Sequence, residues 1–401
     1  MKKNKARYLL WKILALALAI FPFTSLAAGK LSEKAKAYIL TCGPGKPMYA
    51  MFGHTALQFY DPENNIDEVY NFGTFDMNTP NFYLKFLTGR LDYTLSRSNY
   101  NYFVSEYISD QRWVCSQEVK LNVLQLQKVY DSLQVVYRPE NRYYRYDFFK
   151  NNCATKVFNL LLVFGGTPRM IDSLNIPAGI TWREGLKTYI AGREWINAGI
   201  NMLLGPLADR QISRLQSTFL PDFLMLEAEN TGLAGFPAIV TNGRYSAPEA
   251  TPPDIPMIIF WMLLIVLVIE ALWLNTSKKF SDAIDMALFG ISGLLGLLFL
   301  FFWFWSDHTS LHLNLNLFWA FPPNILMIWT IRTGRHKFTR IYLLLYALLQ
   351  FFLLINWHRL PQDFPLELMP VTTLLVFRAV NRVFRFREKE AAIEISAGEN
   401  R

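Results

Sequence analysis

The sequence contains little cysteine and little histidine, with three and five residues respectively among 401. Neither type has the spacing of a zinc site, and His54 with the three cysteines makes an improbable metal centre, so we expect no metal or cofactor. The chain also lacks a glycine-rich phosphate loop, an HExxH helix and a GxSxG turn. These absences remove the support for a nucleotide-binding protein, a zincin or a serine hydrolase.

Charge gives no support for nucleic-acid binding either. The formal net charge is +8, but much of the basic excess lies in short segments beside apolar runs towards the C-terminus. A basic balance placed there is typical of a membrane protein, so we expect no nucleic-acid partner.

The first 29 residues have a basic start, an apolar stretch and small residues at Ser25 and Ala27. This pattern predicts a secretory signal cut after Ala27, with an uncleaved anchor helix as the alternative. Both interpretations export the following segment. We therefore expect a signal at 1–29, a periplasmic domain at 30–250, a transmembrane domain at 251–385 and a cytoplasmic tail at 386–401.

The C-terminal part is predicted to be a membrane domain of about five helices, since it consists of apolar runs near the length needed to cross a bilayer. The predicted spans are 257–274, 284–305, 315–331, 341–357 and 364–380.

The polar segments between these spans predict the orientation. "NTSKKFSD", "RTGRHKFTR" and "RVFRFREKE" are basic, whereas "SDHTSLHLNLN" and "NWHRLPQDFP" hold one arginine between them. By the positive-inside rule the first set is cytoplasmic. We therefore expect a multi-pass protein of the bacterial inner membrane with a periplasmic N-terminal domain and a cytoplasmic C-terminus.

Within the exported domain, alternation predicts a β-hairpin of residues 54–61 and 68–75 around the turn "PENN". It places His54 and Asn71 on adjacent strands. "RWVCSQEVKL" predicts a further strand and "NVLQLQKVYDSLQVVY" a helix. "FFKNNCATKVF" predicts a helix capped by Asn151 or Asn152 and ending at Gly165.

Cys153 is the candidate nucleophile, because unpaired amides and the helix dipole at a helix start favour a thiolate. His54, the single histidine of the exported domain, is the candidate base. Asn71 is the candidate group to orient the imidazole, with Asp61, Asp76 and Asn81 as alternatives. A structural role for Cys153 remains open at this point.

Two further predictions concern the surroundings of Cys153. Cys42 and Cys115 can pair in an oxidising compartment, which would leave Cys153 free. Lys46, Arg142 and Arg145 are candidates to hold a phosphate headgroup, although a solvated charged surface explains them as well.

The order of histidine, orienting residue and then "NC" at a helix start resembles the circularly permuted papain-like (NlpC-type) thiol enzymes, which include the lecithin:retinol acyltransferase group. "TCGPGKPMYAMFGHTALQFYDP", "PENRYYRYDFFKNNCATKV" and "LGPLADRQISRLQSTFLPDFL", followed by membrane spans, are similar to the Lnb family of lipoprotein N-acyltransferases of Bacteroides-type bacteria. The resemblance implies an α+β exported domain followed by an all-α membrane domain, with Cys153 as nucleophile and His54 as base.

On this resemblance we expect transfer of an acyl chain from a membrane phospholipid, through a cysteine thioester, to the α-amine of a diacylated lipoprotein. The expected partners are the phospholipid donor, the lipoprotein acceptor and the bilayer. The same Cys-His pair would also suit a periplasmic cell-wall amidase or peptidase, and a noncatalytic binding protein is the third alternative.

Overall fold

The computed structural model describes residues 29–243, 253–274, 276–333 and 336–399, with side chains excluded at 336 and 386–399. The predicted signal at 1–29 therefore lies outside the described residues except for its last residue. Most of the linker between the two domains lies outside them as well.

The exported domain is built around a seven-stranded antiparallel sheet with the order β6-β4-β3-β2-β1-β5-β9, and a small β7-β8 sheet lies apart from it. The strands are β1 Lys36–Cys42, β2 His54–Asp61, β3 Ile66–Thr74, β4 Asp92–Asn99, β5 Val114–Glu118, β6 Tyr143–Arg145, β7 Pro177–Thr181, β8 Gln211–Ser213 and β9 Ala238–Thr241.

The predicted hairpin is confirmed, since β2 and β3 pair antiparallel with Leu57 opposite Tyr70. Both faces of its first strand are covered by helices. Leu57 and Phe59 belong to the main core, whereas Ala56 belongs to a second buried cluster on the opposite face. Successive strand residues point to opposite faces, so β2 sits between two layers.

The helices of the exported domain are α1 Phe82–Leu87, α2 Tyr100–Ser109, α3 Val123–Tyr137, α4 Cys153–Gly165, α5 Pro168–Leu174, α6 Trp182–Ile190, α7 Glu194–Leu203, α8 Arg214–Ser217 and α9 Pro221–Asn230. The domain is therefore α+β, with the histidine strand preceding the cysteine helix in the permuted papain-like order.

Helix α4 is held against the sheet by Val157, Phe158 and Leu161, which are fully buried in the main core. Removing one such ring, as in Phe158→Ala, typically costs about 3–5 kcal/mol of the free energy of unfolding. The N-terminus of α4, which carries Cys153, is thus fixed against the hairpin by packing further along the helix.

The C-terminal domain is helical, with α10 Ile255–Trp273, α11 Lys278–Trp305, α12 Leu326–Thr333, α13 His336–Ile355 and α14 Met369–Glu399. Among the described residues, α10, α11 and α13 are long and apolar enough to cross a membrane.

The segment predicted as a span at 315–331, which contains Pro322 and Pro323, is not one continuous helix. This segment forms two short 3-10 turns, Leu315–Phe318 and Pro322–Ile325, before α12 begins. Pro322 and Pro323 cannot donate backbone hydrogen bonds, which interrupts the helix. The side chain of Asn324 is buried there and bonds the hydroxyls of Ser292 and Tyr342, at 2.8 and 2.5 Å. Irregular backbone at such a place is tolerated because protein covers it.

Candidate active site

The start of α4 is fixed by the side chain of Asn152, which is the N-cap. Asn152 was one of the two caps predicted from the sequence, the other being Asn151. The Asn152 amide oxygen accepts from the Thr155 backbone N–H at 2.9 Å, and the Thr155 hydroxyl accepts from the Asn152 N–H at 2.8 Å. The Asn152 amide nitrogen donates to the carbonyls of Phe148 and Phe219, at 2.8 and 2.7 Å. All its polar groups are bonded, so Cys153 is held rigidly at the first helical position.

The structure brings Cys153, His54 and Asn71 together. His54 Nε2 lies 2.5 Å from the Asn71 side-chain oxygen, and the imidazole is close enough to the Cys153 thiol for each group to shift the pKa of the other. Because Nε2 is engaged by Asn71, Nδ1 is the ring nitrogen available to the sulfur. The arrangement is a nucleophile, a base and a group that orients the base.

The electrostatics of this pair favour charge separation. Burial opposes the thiolate of Cys153, but His54 and the backbone amides of Thr55 and Ala154 outweigh it, so the pKa of the thiol lies below its ordinary value. Burial likewise lowers the pKa of His54, whereas Cys153 and Asn71 raise it, and the net pKa of the imidazole lies above its ordinary value. A thiolate facing an imidazolium is the form that these shifts stabilise.

Gly73 opens the approach to the sulfur. Its φ is +92°, and a Cβ placed there would lie 3.6 Å from the Cβ of Cys153 and 3.8 Å from Cε1 of His54. A side chain would be strained at this φ and would occupy the space beside the reacting atoms. The bulge of β3 between Asn71 and Thr74 contains this glycine.

The other candidate orienting groups lie elsewhere. Asp61 is buried and bonds the hydroxyl of Ser32 at 2.6 Å, and Asp76 bonds the backbone of Asn78 at 2.8 Å. Asn81 is the N-terminal flanking residue of α1. Asn71 is therefore the candidate that contacts His54.

Cys42 and Cys115, for which the sequence left a disulfide open, do not pair, because all three cysteines are free. In the register of β1 and β5, Cys115 is opposite Thr41, and Cys42 is opposite Val114. Cys42 and Cys115 therefore point to opposite faces of the sheet. Burial raises the pKa of the Cys42 thiol to about 12, which makes it unreactive.

The three basic residues predicted to bind a headgroup do not line the cavity at Cys153. Lys46 is exposed, Arg145 pairs with Asp92 at 3.3 Å, and Arg142 lies 5.3 Å from the centre of the Tyr143 ring. Their role in headgroup binding stays a prediction.

A cavity of about 270 Å³ opens at Cys153 and His54 and is walled mainly by aromatic and aliphatic side chains. Tyr146 is a wall residue that the sequence interpretation missed. Its ring stacks on Tyr93 with 4.3 Å between ring centres, and burial raises its pKa well above the ordinary value. The run "YYRYDFF" has no periodicity that distinguishes Tyr146 from its neighbours, so no local signal could have identified it.

The segment "FLPDFL" also contributes to the site. Phe219 and Pro221 line the cavity, and the carbonyl of Phe219 accepts from Asn152. Asp222 accepts from the Tyr189 hydroxyl at 2.7 Å, which ties this segment to α6. The quoted motif thus forms part of the cavity wall.

Two family models match the chain. The model described as the Lnb N-terminal periplasmic domain matches residues 30–187, and the model described as the Lnb transmembrane domain matches residues 250–389. No curated protein and no solved structure matches it. The two matched ranges account for most of the chain, and they contain Cys153, His54 and Asn71 as well as the apolar helices.

Proposed function

The chain belongs to the Lnb family, and from this premise we propose that it is a lipoprotein N-acyltransferase that carries the acyl chain on Cys153. It is a membrane protein of lipoprotein biogenesis with a periplasmic domain. The observation that carries the proposal is the contact of Cys153 with a His54 imidazole oriented by Asn71, at the end of an apolar cavity.

In the first step the Cys153 thiolate attacks an ester carbonyl of a membrane phospholipid. A carbon–sulfur bond forms, the ester carbon–oxygen bond breaks, and His54 gives its proton to the departing lysophospholipid oxygen. The backbone amides of Thr55 and Ala154, which stabilise the thiolate of Cys153, are candidate donors for the developing oxyanion.

In the second step the α-amine of a diacylglyceryl-cysteine attacks the thioester. His54, now neutral, accepts a proton from the amine, the carbon–sulfur bond breaks, and the thiolate is restored. The products are a triacylated lipoprotein and the free enzyme, so the cycle needs no cofactor.

The proposed location follows from the substrates. Both lipids are confined to the bilayer, and a catalytic domain joined to membrane helices keeps the cysteine near them. We place the protein in the bacterial inner membrane with its catalytic domain in the periplasm and its C-terminus in the cytoplasm. The basic segments beside α11 and α13 support this orientation.

The cell-wall amidase alternative receives less support from the site. A peptide or glycan substrate presents many polar groups, and burying them against apolar walls leaves their hydrogen bonds unmade. The cavity at Cys153 offers mainly aromatic and aliphatic side chains instead. An acyl chain fits such walls better.

The test is mass spectrometry of lipoprotein N-termini from cells that carry Cys153→Ala in place of the native protein. We expect triacylated N-termini to be replaced by diacylated ones, because the variant cannot form the thioester. Cys115→Ala is the matched control, since Cys115 is also a free thiol but does not line the cavity.

Triacylated lipoproteins at the normal level in Cys153→Ala cells would contradict the proposal. If cell-wall fragments changed in those cells instead, the amidase interpretation would replace it. An unchanged phenotype in both assays would favour a noncatalytic role for Cys153.

A further inference from the structure

We propose that the acyl chain on Cys153 lies in a chamber between the two domains, and that Leu311 of the membrane domain limits the length of chain that fits. The inference rests on the thioester proposed above and concerns which acyl chains form it. It assigns the polar segment after α11 a part in acyl selection.

The chamber is a second cavity, of about 250 Å³, that adjoins the one at the cysteine. Six residues line both cavities, so the two lie side by side: Phe52, Phe86, Tyr93, Tyr146, Phe148 and Ile200. In the proposal, a chain attached to the sulfur passes between these side chains from the first cavity into the second.

The chemistry of the chamber suits a hydrocarbon chain. Its walls are almost entirely apolar, and Leu186, Leu204 and Leu311 line it without lining the cavity at Cys153. The side chains on the wall that carry polar atoms are His308, Ser310, Tyr93 and Tyr146. Burying an acyl chain there is favourable, because each CH₂ group is removed from water.

The segment 306–312 closes the chamber because it is fastened to the exported domain on two sides. On one side the Asp307 N–H donates to the Thr88 carbonyl at 2.8 Å, and a His308 ring nitrogen lies 3.2 Å from the Phe86 carbonyl oxygen. On the other side the Gly205 N–H donates to the Ser310 carbonyl at 2.8 Å. Leu311 lies on a segment held at both ends.

Two contacts show how tightly this segment fits. A Cβ on Gly205 would overlap the backbone oxygen of His312, so only glycine permits the approach. Lys150, three residues before Cys153, donates to the hydroxyl of Thr309 at 3.1 Å. This wall of the chamber is thus fixed relative to the nucleophile, and a fixed wall can discriminate by length.

The test is acyl selection by the purified full-length protein in mixed micelles with phosphatidylethanolamine donors carrying octanoyl, palmitoyl or stearoyl chains. Intact mass reports which thioester forms on Cys153. We expect Leu311→Trp to lower the palmitoyl adduct relative to the octanoyl adduct by about tenfold or more, because the indole fills part of the chamber. Leu311→Ala should shift selection the opposite way, towards stearoyl over palmitoyl.

Leu313→Trp is the matched control, since Leu313 directly follows the segment 306–312 but is 46% exposed and does not line the chamber. It should retain the wild-type ratio. A wild-type ratio in both Leu311 variants, or an equal loss in Leu311→Trp and Leu313→Trp, would overturn the chamber inference while leaving the thioester intact. Absence of any adduct on the wild-type protein would instead overturn the proposed function together with this inference.

Discussion

Both domains bury charged or reactive side chains, but those of the exported domain line a cavity, whereas those of the membrane domain are paired with one another. In the exported domain, Cys153 and His54 face each other beside an open cavity, where a substrate can reach them. In the membrane domain, the buried guanidinium of Arg378 contacts Glu270 at 2.5 Å and Asp285 at 2.6 Å.

Access to a cavity distinguishes the reactive site at Cys153 from the structural ion cluster at Arg378. Arg378 also bonds Ser281, and Arg382 joins Asp285 at 2.5 Å, so these acidic groups on α10 and α11 are tied to α14. A buried ion cluster with bonded partners holds helices together and exposes nothing to a substrate. Cys153 and His54 instead line an open cavity, so a substrate can reach the sulfur and the imidazole.

The largest expected effect is the loss of stability in Arg378→Ala, which tests whether the ion cluster of the membrane domain is structural. The change leaves Glu270 and Asp285 buried without this partner, which typically costs about 3–5 kcal/mol of the free energy of unfolding. Denaturant unfolding of the detergent-solubilised protein, followed by tryptophan fluorescence, measures it. Protein that remains folded should still form the thioester.

Arg332→Ala is the control for charge removal in the same domain, because Arg332 is exposed at the end of α12. It should change stability by less than about 1 kcal/mol. Equal stabilities for Arg332→Ala and Arg378→Ala would contradict a structural role for the ion cluster.

A smaller effect, confined to the catalytic pair, is expected from Asn71→Ala. The Asn71 side chain helps to raise the pKa of His54, so its loss lowers that pKa. Thioester formation needs the imidazolium to protonate the leaving oxygen, and the alkaline limb of the pH–rate profile should therefore move to lower pH. The rate of acyl-enzyme formation across a pH series measures the shift.

Asp76→Asn is the matched control for this experiment. Asp76 was an alternative orienting group, but its carboxylate bonds the Asn78 backbone instead. Its alkaline limb should coincide with that of the wild type. A shift of the alkaline limb in Asp76→Asn without one in Asn71→Ala would contradict the assignment of the orienting role to Asn71.

The smallest effects are expected from removing the basic side chains of Lys46, Arg142 and Arg145 singly by alanine substitution. If these residues bind a phosphate headgroup, each loss should raise the half-saturating phospholipid concentration by less than about tenfold, since exposed ion pairs contribute little. Acylation rates against phospholipid concentration test this, with Lys128→Ala on α3 as the control. Equal curves for all four variants would remove headgroup binding from these positions.

Local features of the site were predictable from the sequence. Asn152 as a cap and Cys153 at the first helical position follow from a short motif, and the contact between His54 and Asn71 follows from two strands adjacent in the chain. Each depends on residues that are neighbours in sequence or across one hairpin, where side-chain periodicity is a direct guide.

Features assembled from distant segments were not predictable. The chamber joins Phe52, Leu186 and Leu311, which no periodicity relates. The sequence likewise does not reveal that Arg378, within a predicted span, finds its partners on α10 and α11. The break at Pro322 does have a local signal, because proline interrupts helices.

The most direct test of the central claim is the intact mass of the purified protein after mixing with phospholipid. The account predicts a gain of one acyl chain that hydroxylamine removes, present in Cys115→Ala and absent in Cys153→Ala. An unchanged mass under conditions where the protein triacylates a diacylated lipoprotein peptide would contradict it, because transfer would then proceed without a thioester on Cys153.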